Sequence, residues 1–209
     1  KGLSTSIGEV YVATGDQEIL NEVIKNNGKG ILTKNDHLTG TDRIFEAYEL
    51  LKRNDVDYII NLQGDEPLID KNDIINLNNF AIQNGSEIAT LACALQNKNI
   101  KNKNVVKVIC SEDIKKNKFS SAKKFLRSLE NEKIDNVYHH IGIYIYKTTT
   151  LKKFVKLKQS NNEINLKLEQ LRALDNNIRI DVVFSNSVPI GVDTNEEYLE
   201  IKKLMEYKS

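Results

Sequence analysis

An α/β fold with a mostly parallel, Rossmann-like sheet flanked by helices is predicted by three observations. Short β-branched runs alternate with amphipathic helical runs through the first 95 residues. The run "VDYIINLQ" (56–63) is almost continuously apolar, as expected of a strand covered on both faces. After residue 104 the alternation gives way to two strand-like runs, "NVVKVIC" (104–110) and "HIGIYIYK" (140–147), with no obvious crossover helix between them. That break predicts a mixed-strand excursion over about 104–147 within a single domain spanning 1–209.

Taken in order, "EVYVAT" (9–14) is a β-rich run, and "QEILNEVIKNNG" (17–28) follows with Ile19, Val23 and Ile24 on one helical face and Gly28 as a stop. "GILT" (30–33) is a second short strand. "TDRIFEAYELLKRN" (41–54) sets Ile44, Ala47, Tyr48 and Leu51 at i, i+3, i+4, i+7 behind Thr41 as N-cap. Beyond the strand at 56–63, "DIINLNNFAIQNG" (73–85) is helical with Gly85 closing it, and "EIATLACAL" (87–95) is a strand. "QNKNIKNKN" (96–104) reads as a solvated loop. Later, "KLEQLRAL" (167–174) is helical, "IRIDVVF" (178–184) is a strand, and "TNEEYLEIKKLM" (194–205) is a closing helix with Thr194 and Glu197 as a capping box. Strands alternating with helices call for right-handed crossovers and parallel pairing.

Lys+Arg 30 against Asp+Glu 29 leaves a net charge of +1, which argues against a nucleic-acid or anionic-membrane partner, so any anion must be bound locally. No run approaches the roughly 18 apolar residues of a membrane span, and no signal peptide is visible at the N-terminus. Cys93 and Cys110 have neither metal-ligand nor disulfide spacing, which fits two buried thiols in a reducing compartment. The expectation is a soluble, cytoplasmic protein.

Ligands of an open parallel sheet sit beyond the carboxyl ends of its strands. Three segments stand there: Thr14 with Asp16, the "HLTGTDR" loop (37–43) running into a helix N-terminus with free N–H groups and partial positive charge, and "QGDEP" (63–67). The acids of "QGDEP" have two readings. Asp65 can serve a turn, Gly64 permitting positive φ and Pro67 ending the strand. Alternatively it holds Mg2+, which takes oxygen donors and only one or two carboxylates, with water and phosphates completing its shell. A second carboxylate must then come from elsewhere, and Asp193 in "PIGVDTNEE" (189–197) again follows a strand; its plainer role is an acid at a helix start.

Read together, "VYVATGDQEI", "GTDRIFEA", "NLQGDEPLI", "NVVKV", "HIGIYIY", "LEQLRAL" followed by "IRIDV", and "GVDTNEEYLE" resemble the CMP-Kdo synthetases (3-deoxy-manno-octulosonate cytidylyltransferases), in that family's order from residue 9 to about residue 205. The resemblance implies a homodimeric, Mg2+-dependent enzyme that joins CTP and Kdo into CMP-Kdo and pyrophosphate for lipopolysaccharide assembly. It implies that Asp65 and Asp193 hold Mg2+ against the triphosphate, with Glu66 and Pro67 shaping the turn. By the same similarity Gln63, His140, Glu169 and Gln170 serve the sugar acid, and Arg127 in "AKKFLRS" (122–128) matches a family arginine. Gly40, Thr41, Asp42 and Arg43 of "GTDR", with Thr14 and Asp16, would serve CTP. Such chemistry is mostly positioning and charge neutralisation, since a sugar hydroxyl attacks the α-phosphate in line. Plainer roles stand beside these: Glu169 and Gln170 on an exposed helix face, His140 at an exposed strand start, Arg43 paired with Asp42.

The sequence departs from that family at the front. Members open with a strand and a Gly-, Arg- and Lys-containing loop around the CTP phosphates, whereas only "KGLSTSIG" precedes "EVYVAT" here. The expectation is an omitted N-terminal segment rather than a truncated relative, and, without that segment, an exposed sheet edge and a gap in the core. The family's "ATDD" also becomes "ATGD", with Gly15 in place of an acid. Two other readings stay open: a cytidylyltransferase for another ulosonic acid, such as sialic acid or an amino-substituted Kdo, and a truncated, non-catalytic binding or assembly module.

Overall fold

The computed structural model describes residues 2–64, 66–129, 135–188, 198–199 and 201–203. Its strands are β1 (Val12–Thr14), β2 (Gly30–Leu32), β3 (Tyr58–Asn61), β4 (Ile88–Ala94), β5 (Lys107–Cys110), β6 (Phe119–Leu126), β7 (Val137–Lys147) and β8 (Ile180–Phe184). Its helices are α1 (Gln17–Lys25), α2 (Gly40–Leu51), α3 (Lys71–Asn84), α4 (Ile114–Asn117), α5 (Thr148–Phe154), α6 (Asn161–Leu166) and α7 (Leu171–Asp175).

Local chemistry sets the helix ends. Asp16 caps α1 by accepting from the Glu18 and Ile19 N–H groups; at its far end Asn27, not Gly28, takes the left-handed conformation (φ 58°). The N-cap of α2 is Thr39 rather than the expected Thr41, because the Thr39 hydroxyl accepts the Asp42 N–H at 3.2 Å. Thr41 therefore lies inside the first turn, buried. Asp70 opens α3 and Gly85 (φ 62°) closes it. The helix expected over 167–174 is shorter: Lys167 (φ 52°) ends α6, whose Ser160 and Glu163 form a capping box, and α7 starts only at Leu171. Glu169 and Gln170 consequently sit on the turn between two short helices rather than on a helix face. The proposed Thr194–Glu197 box lies outside the described residues; 201–203 are helical, with Ile201 buried.

The sheet corrects the expectation of mostly parallel pairing. Among the described residues parallel pairing is confined to β1–β2 and β4–β8; β3–β7, β4–β7, β5–β6, β5–β7 and β6–β8 are antiparallel. The reason is β7. Its eleven residues pair with β4 along one edge, while the other edge takes β5 near the start and β3 near the end. Through β7, β4, β8, β6 and β5 the pairing returns to β7. The mixed segment thus supplies three of the six strands of this sheet, β5, β6 and β7, and is not an excursion from it.

Period-two alternation along β7 divides the core. Ile141, Ile143 and Ile145 pack with Ile74, Leu77 and Leu91 on one side, and Tyr138, Tyr144 and Tyr146 pack with Phe125, Phe154 and Leu171 on the other. Each fully buried aliphatic chain contributes about 1.5–3 kcal/mol, enough to hold the register against a one-residue slip. At the other end of the molecule β1 pairs with β2 and β3 with β7, but β1 and β3 do not pair with each other. A cavity of about 960 Å3 opens between them, lined by Val12, Ala13, Ile31, Ile44, Tyr58 and Ile60 among others.

Candidate active site

The first turn of α2 faces two ways. Inward, Thr41 Oγ1 donates to Glu169 Oε2 at 3.0 Å and lies 3.4 Å from the Tyr146 hydroxyl. Toward the ends of β1 and β2, Arg43 Nη1 donates to Thr33 Oγ1 at 2.7 Å and to the Lys34 carbonyl at 2.9 Å. Asp42 accepts from the Thr39 hydroxyl at 2.9 Å and stands 4.0 Å from Arg172, so Arg43 does not take it as partner. Gly40, Arg43, Asn61, Gln63 and Gly64 all line the cavity between β1 and β3, which gathers two of the three segments expected at the strand ends.

The third segment is placed beside it. Thr14 is buried and its hydroxyl accepts the Asp16 N–H, while the Asp16 carboxylate is engaged as the α1 cap. A Cβ on Gly15 would come within 2.8 Å of Arg43 Nη1 and 3.0 Å of Asn35 Cα, so Gly15 lets the "ATGD" turn approach both residues. The loop between β2 and α2 is tied down by Glu46, whose carboxylate accepts the Lys34 N–H at 3.0 Å and contacts His37 Nε2.

One face of β7 (Val137–Lys147) carries a second group of side chains. His140 packs edge-on against Phe125 (5.2 Å between centroids) and near Tyr144 (5.4 Å), which stacks on Tyr146 (5.9 Å). Burial, with a smaller push from His139, holds the His140 imidazole down to about 3, so it is neutral at physiological pH. Its Nε2 lies 3.0 Å from Thr90 Oγ1, whose proton is directed to the Ile143 carbonyl at 2.6 Å. Thr90 therefore accepts from Nε2–H, and Nδ1 keeps its lone pair as an acceptor. The Tyr144 hydroxyl is buried near Thr90 without hydrogen-bond geometry to any partner among the described residues. Across from this face, Gln63 lies over Gly142, where a Cβ would meet Gln63 Oε1 at 3.4 Å.

Glu169 closes the arrangement. Burial raises its carboxyl above the ordinary value, opposed by the Thr39 and Thr41 hydroxyls and by Arg172, while Asp42 adds to the rise. Its Oε1 is buried without a hydrogen bond among the described residues. Gln170 is buried next to it at the start of α7. Arg127, expected on the sugar side, donates to three backbone carbonyls. Its Nε donates to the Leu166 carbonyl (2.7 Å), Nη2 to that of Lys167 (3.0 Å) and Nη1 to that of Lys103 (3.2 Å). It supports the turn bearing Glu169 from behind.

The Glu66 N–H reaches the Gln63 carbonyl at 3.4 Å, and Gly64 does not use a positive φ. Asp65 and Asp193, the expected metal ligands, lie outside the described residues. Among the described residues no three His, Cys, Asp or Glu side chains gather in a metal-binding arrangement. Cys93 and Cys110 are buried free thiols, pushed up by burial to about 11 and about 12, unsuited to nucleophilic work. Thr90, Tyr144, Tyr146 and Arg172 were not singled out from sequence. The signal for the tyrosines was present: in "HIGIYIY" the residues 140, 142, 144 and 146 alternate with isoleucines and so share one face.

A family model described as cytidylyltransferase matches residues 3–180. A 3-deoxy-manno-octulosonate cytidylyltransferase of Bartonella tribocorum is 38% identical over 205 residues, covering 96% of this chain and 82% of that protein. One of Brucella ovis is 38% identical over 200 residues, covering 94% and 79%. The solved structure of a CMP:2-keto-3-deoxy-manno-octonic acid synthetase complexed with CTP superposes with a TM-score of 0.86 at 31% identity, over 97% of this chain and 83% of that one. The 4-diphosphocytidyl-2C-methyl-D-erythritolsynthase of Anaerococcus prevotii shares the fold at 13% identity, with a TM-score of 0.55 over 94% of this chain and 77% of that one.

Proposed function

The chain belongs to the 3-deoxy-manno-octulosonate cytidylyltransferase family, and from that membership we propose that it joins CTP to Kdo, releasing pyrophosphate and forming CMP-Kdo for lipopolysaccharide biosynthesis. A hydroxyl oxygen of the sugar acid attacks the α-phosphorus, the bond to the bridging oxygen of pyrophosphate breaks, and the hydroxyl proton passes to solvent or a nearby acceptor. The observation that carries this reading is the hydrogen bond from Thr41 to Glu169, which joins the helix start assigned to the nucleotide to the turn assigned to the sugar. Gly40, Arg43 and the free N–H groups of the α2 terminus suit an anionic triphosphate. Gln63, neutral His140, Glu169 and Gln170 present the amide, imidazole and carboxylate groups that a polyhydroxy acid needs. Holding both reactants in one cleft supplies proximity, the largest contribution that uncharged positioning can make.

Mg2+ belongs to the same reading. Asp65 follows Gly64, which lines the cavity, and a carboxylate pair with Asp193 has the hard-oxygen chemistry that Mg2+ takes. When bound, the ion supplies neutralising charge to the phosphate oxygens. A cytoplasmic homodimer completes the proposal. Buried free thiols are compatible with a reducing compartment, and no described helix is long and apolar enough to cross a membrane. The test is pyrophosphate release from CTP with Kdo, amino-substituted Kdo and sialic acid in competition. Preferential turnover of Kdo is expected; preferential turnover of another acid would reassign the substrate. A folded protein without affinity for CTP and Mg2+ would favour a binding module instead.

A further inference from the structure

Arg172, in the first turn of α7, is buried, and a guanidinium there must be surrounded by partners. Its principal partner is Glu163: Nε and Nη2 form a fork onto the two carboxylate oxygens at 2.9 and 2.5 Å, and the ring of Phe154 lies 4.7 Å from the guanidinium carbon. That fork by itself neutralises the charge. Two more carboxylates nevertheless converge on the same group, Asp42 at 4.0 Å from Nη1 and Glu169 at 4.0 Å from Nη2. They arrive from different elements. Asp42 stands in the first turn of α2 and Glu169 on the turn between α6 and α7, so one cation touches both segments that Thr41 joins by hydrogen bond.

We propose that Arg172 is a positioning residue for the reaction, holding the Glu169 side chain in register with the first turn of α2 while Glu163 anchors the guanidinium. The inference rests on the sugar-binding role given to Glu169 above. Its physical basis is competition around one carboxyl. Burial and the charge of Asp42 favour the neutral acid; Arg172 and the hydroxyls of Thr39 and Thr41 favour the carboxylate. From β7, Tyr144 and Tyr146 face the same group with neutral hydroxyls, their ionisation pushed up by burial. Arg172 is the one cation acting on Glu169 in this set, so its removal tips the balance toward a protonated acid that no longer accepts hydrogen bonds from a sugar at both oxygens.

The experiment follows the Glu169 carboxyl carbon by NMR titration in the full chain without substrate, alongside steady-state kinetics with CTP and Kdo. Arg172→Gln is expected to raise the Glu169 midpoint by about one pH unit or more, and Arg172→Lys to restore most of the wild-type value. Glu163→Gln, which frees Arg172 from its counter-charge, is expected to lower the midpoint. In kinetics Arg172→Gln should raise KM for Kdo about tenfold, the effect growing as pH falls and shrinking as pH rises, with KM for CTP changed less than about twofold. An unchanged midpoint in Arg172→Gln overturns the inference. Where that variant does not fold, Glu163→Gln decides, and a midpoint that stays or rises overturns it. Wild-type protein that does not turn over Kdo would sink the proposed function, while the titration would still decide the role of Arg172.

Discussion

Thr41 Oγ1 reaches Glu169 Oε2 at 3.0 Å across 128 positions of sequence, so a hydroxyl in the first turn of α2 fixes one oxygen of a carboxylate on the turn between α6 and α7. The bond is largely buried, with Thr41 only 1% exposed. Thr41→Val keeps the side-chain shape and removes the donor. The expected result is a loss of about 1–3 kcal/mol in denaturant unfolding and a raised KM for Kdo, because a buried acceptor loses its partner. Unchanged stability would show that water replaces the hydroxyl without cost.

His140 gives a pH prediction with a defined sign. Its folded-state value of about 3 lies below the ordinary 6.5, so between these limits the unfolded chain binds the extra proton. Its contribution to stability is complete above about pH 6.5 and is lost as pH falls toward about 3. Wild-type unfolding free energy should therefore fall by up to about 1.4 kcal/mol per pH unit more steeply than that of His140→Gln in this window. Parallel curves for the two proteins would contradict a neutral buried imidazole.

Glu163 and Arg172 make a buried ion pair, each with a side chain 3% exposed. Removing one partner leaves the other charge stranded, so Glu163→Leu or Arg172→Met alone should cost about 3–5 kcal/mol. The double replacement should recover a large part of that loss in chemical denaturation. Additive losses would mean that the two side chains do not act as a pair.

Asp65→Asn and Asp193→Asn each remove a charge and almost no volume. Each is expected to abolish pyrophosphate release with the fold retained by circular dichroism, and chelation of divalent cations should do the same to the wild type until Mg2+ is restored. A near-normal rate in either variant takes that residue out of the metal shell.

Gly15→Ala tests the turn at the end of β1. The added methyl meets Arg43 Nη1 and the Asn35 backbone, and backbone cannot yield as a side-chain tip can. KM for CTP should rise several-fold, of the order a 1 kcal/mol disturbance produces, with KM for Kdo unaffected. The opposite pattern would move Arg43 out of the nucleotide side.

Much of the element order was legible in the chain. The stripe Ile44, Ala47, Tyr48 and Leu51, the closing Gly85 and the run at 178–184 each carry a period or a terminator that acts within a few residues, and each element stands close to where that chemistry puts it. The N-cap of α2 was misread because Thr39 and Thr41 are equally good caps by composition, and only the backbone path decides which one precedes the first turn. The helix read into "KLEQLRAL" failed for a related reason. Its leucine spacing is helical, but the left-handed Lys167 and the Arg127 bonds to the carbonyls of 166 and 167 break it ahead of Glu169.

What the sequence alone determined was the α/β class, the kinds of group available for an anionic nucleotide and a polyhydroxy acid, and the family, because these follow from local periodicity and from residue types in a set order. Tertiary structure decided the sense of strand pairing, the meeting of Thr41, Glu169 and Arg172, and the neutrality of His140. Those depend on which groups elements distant in sequence bring alongside one another and on how much water is excluded from them, and neither quantity is encoded within any short stretch of chain.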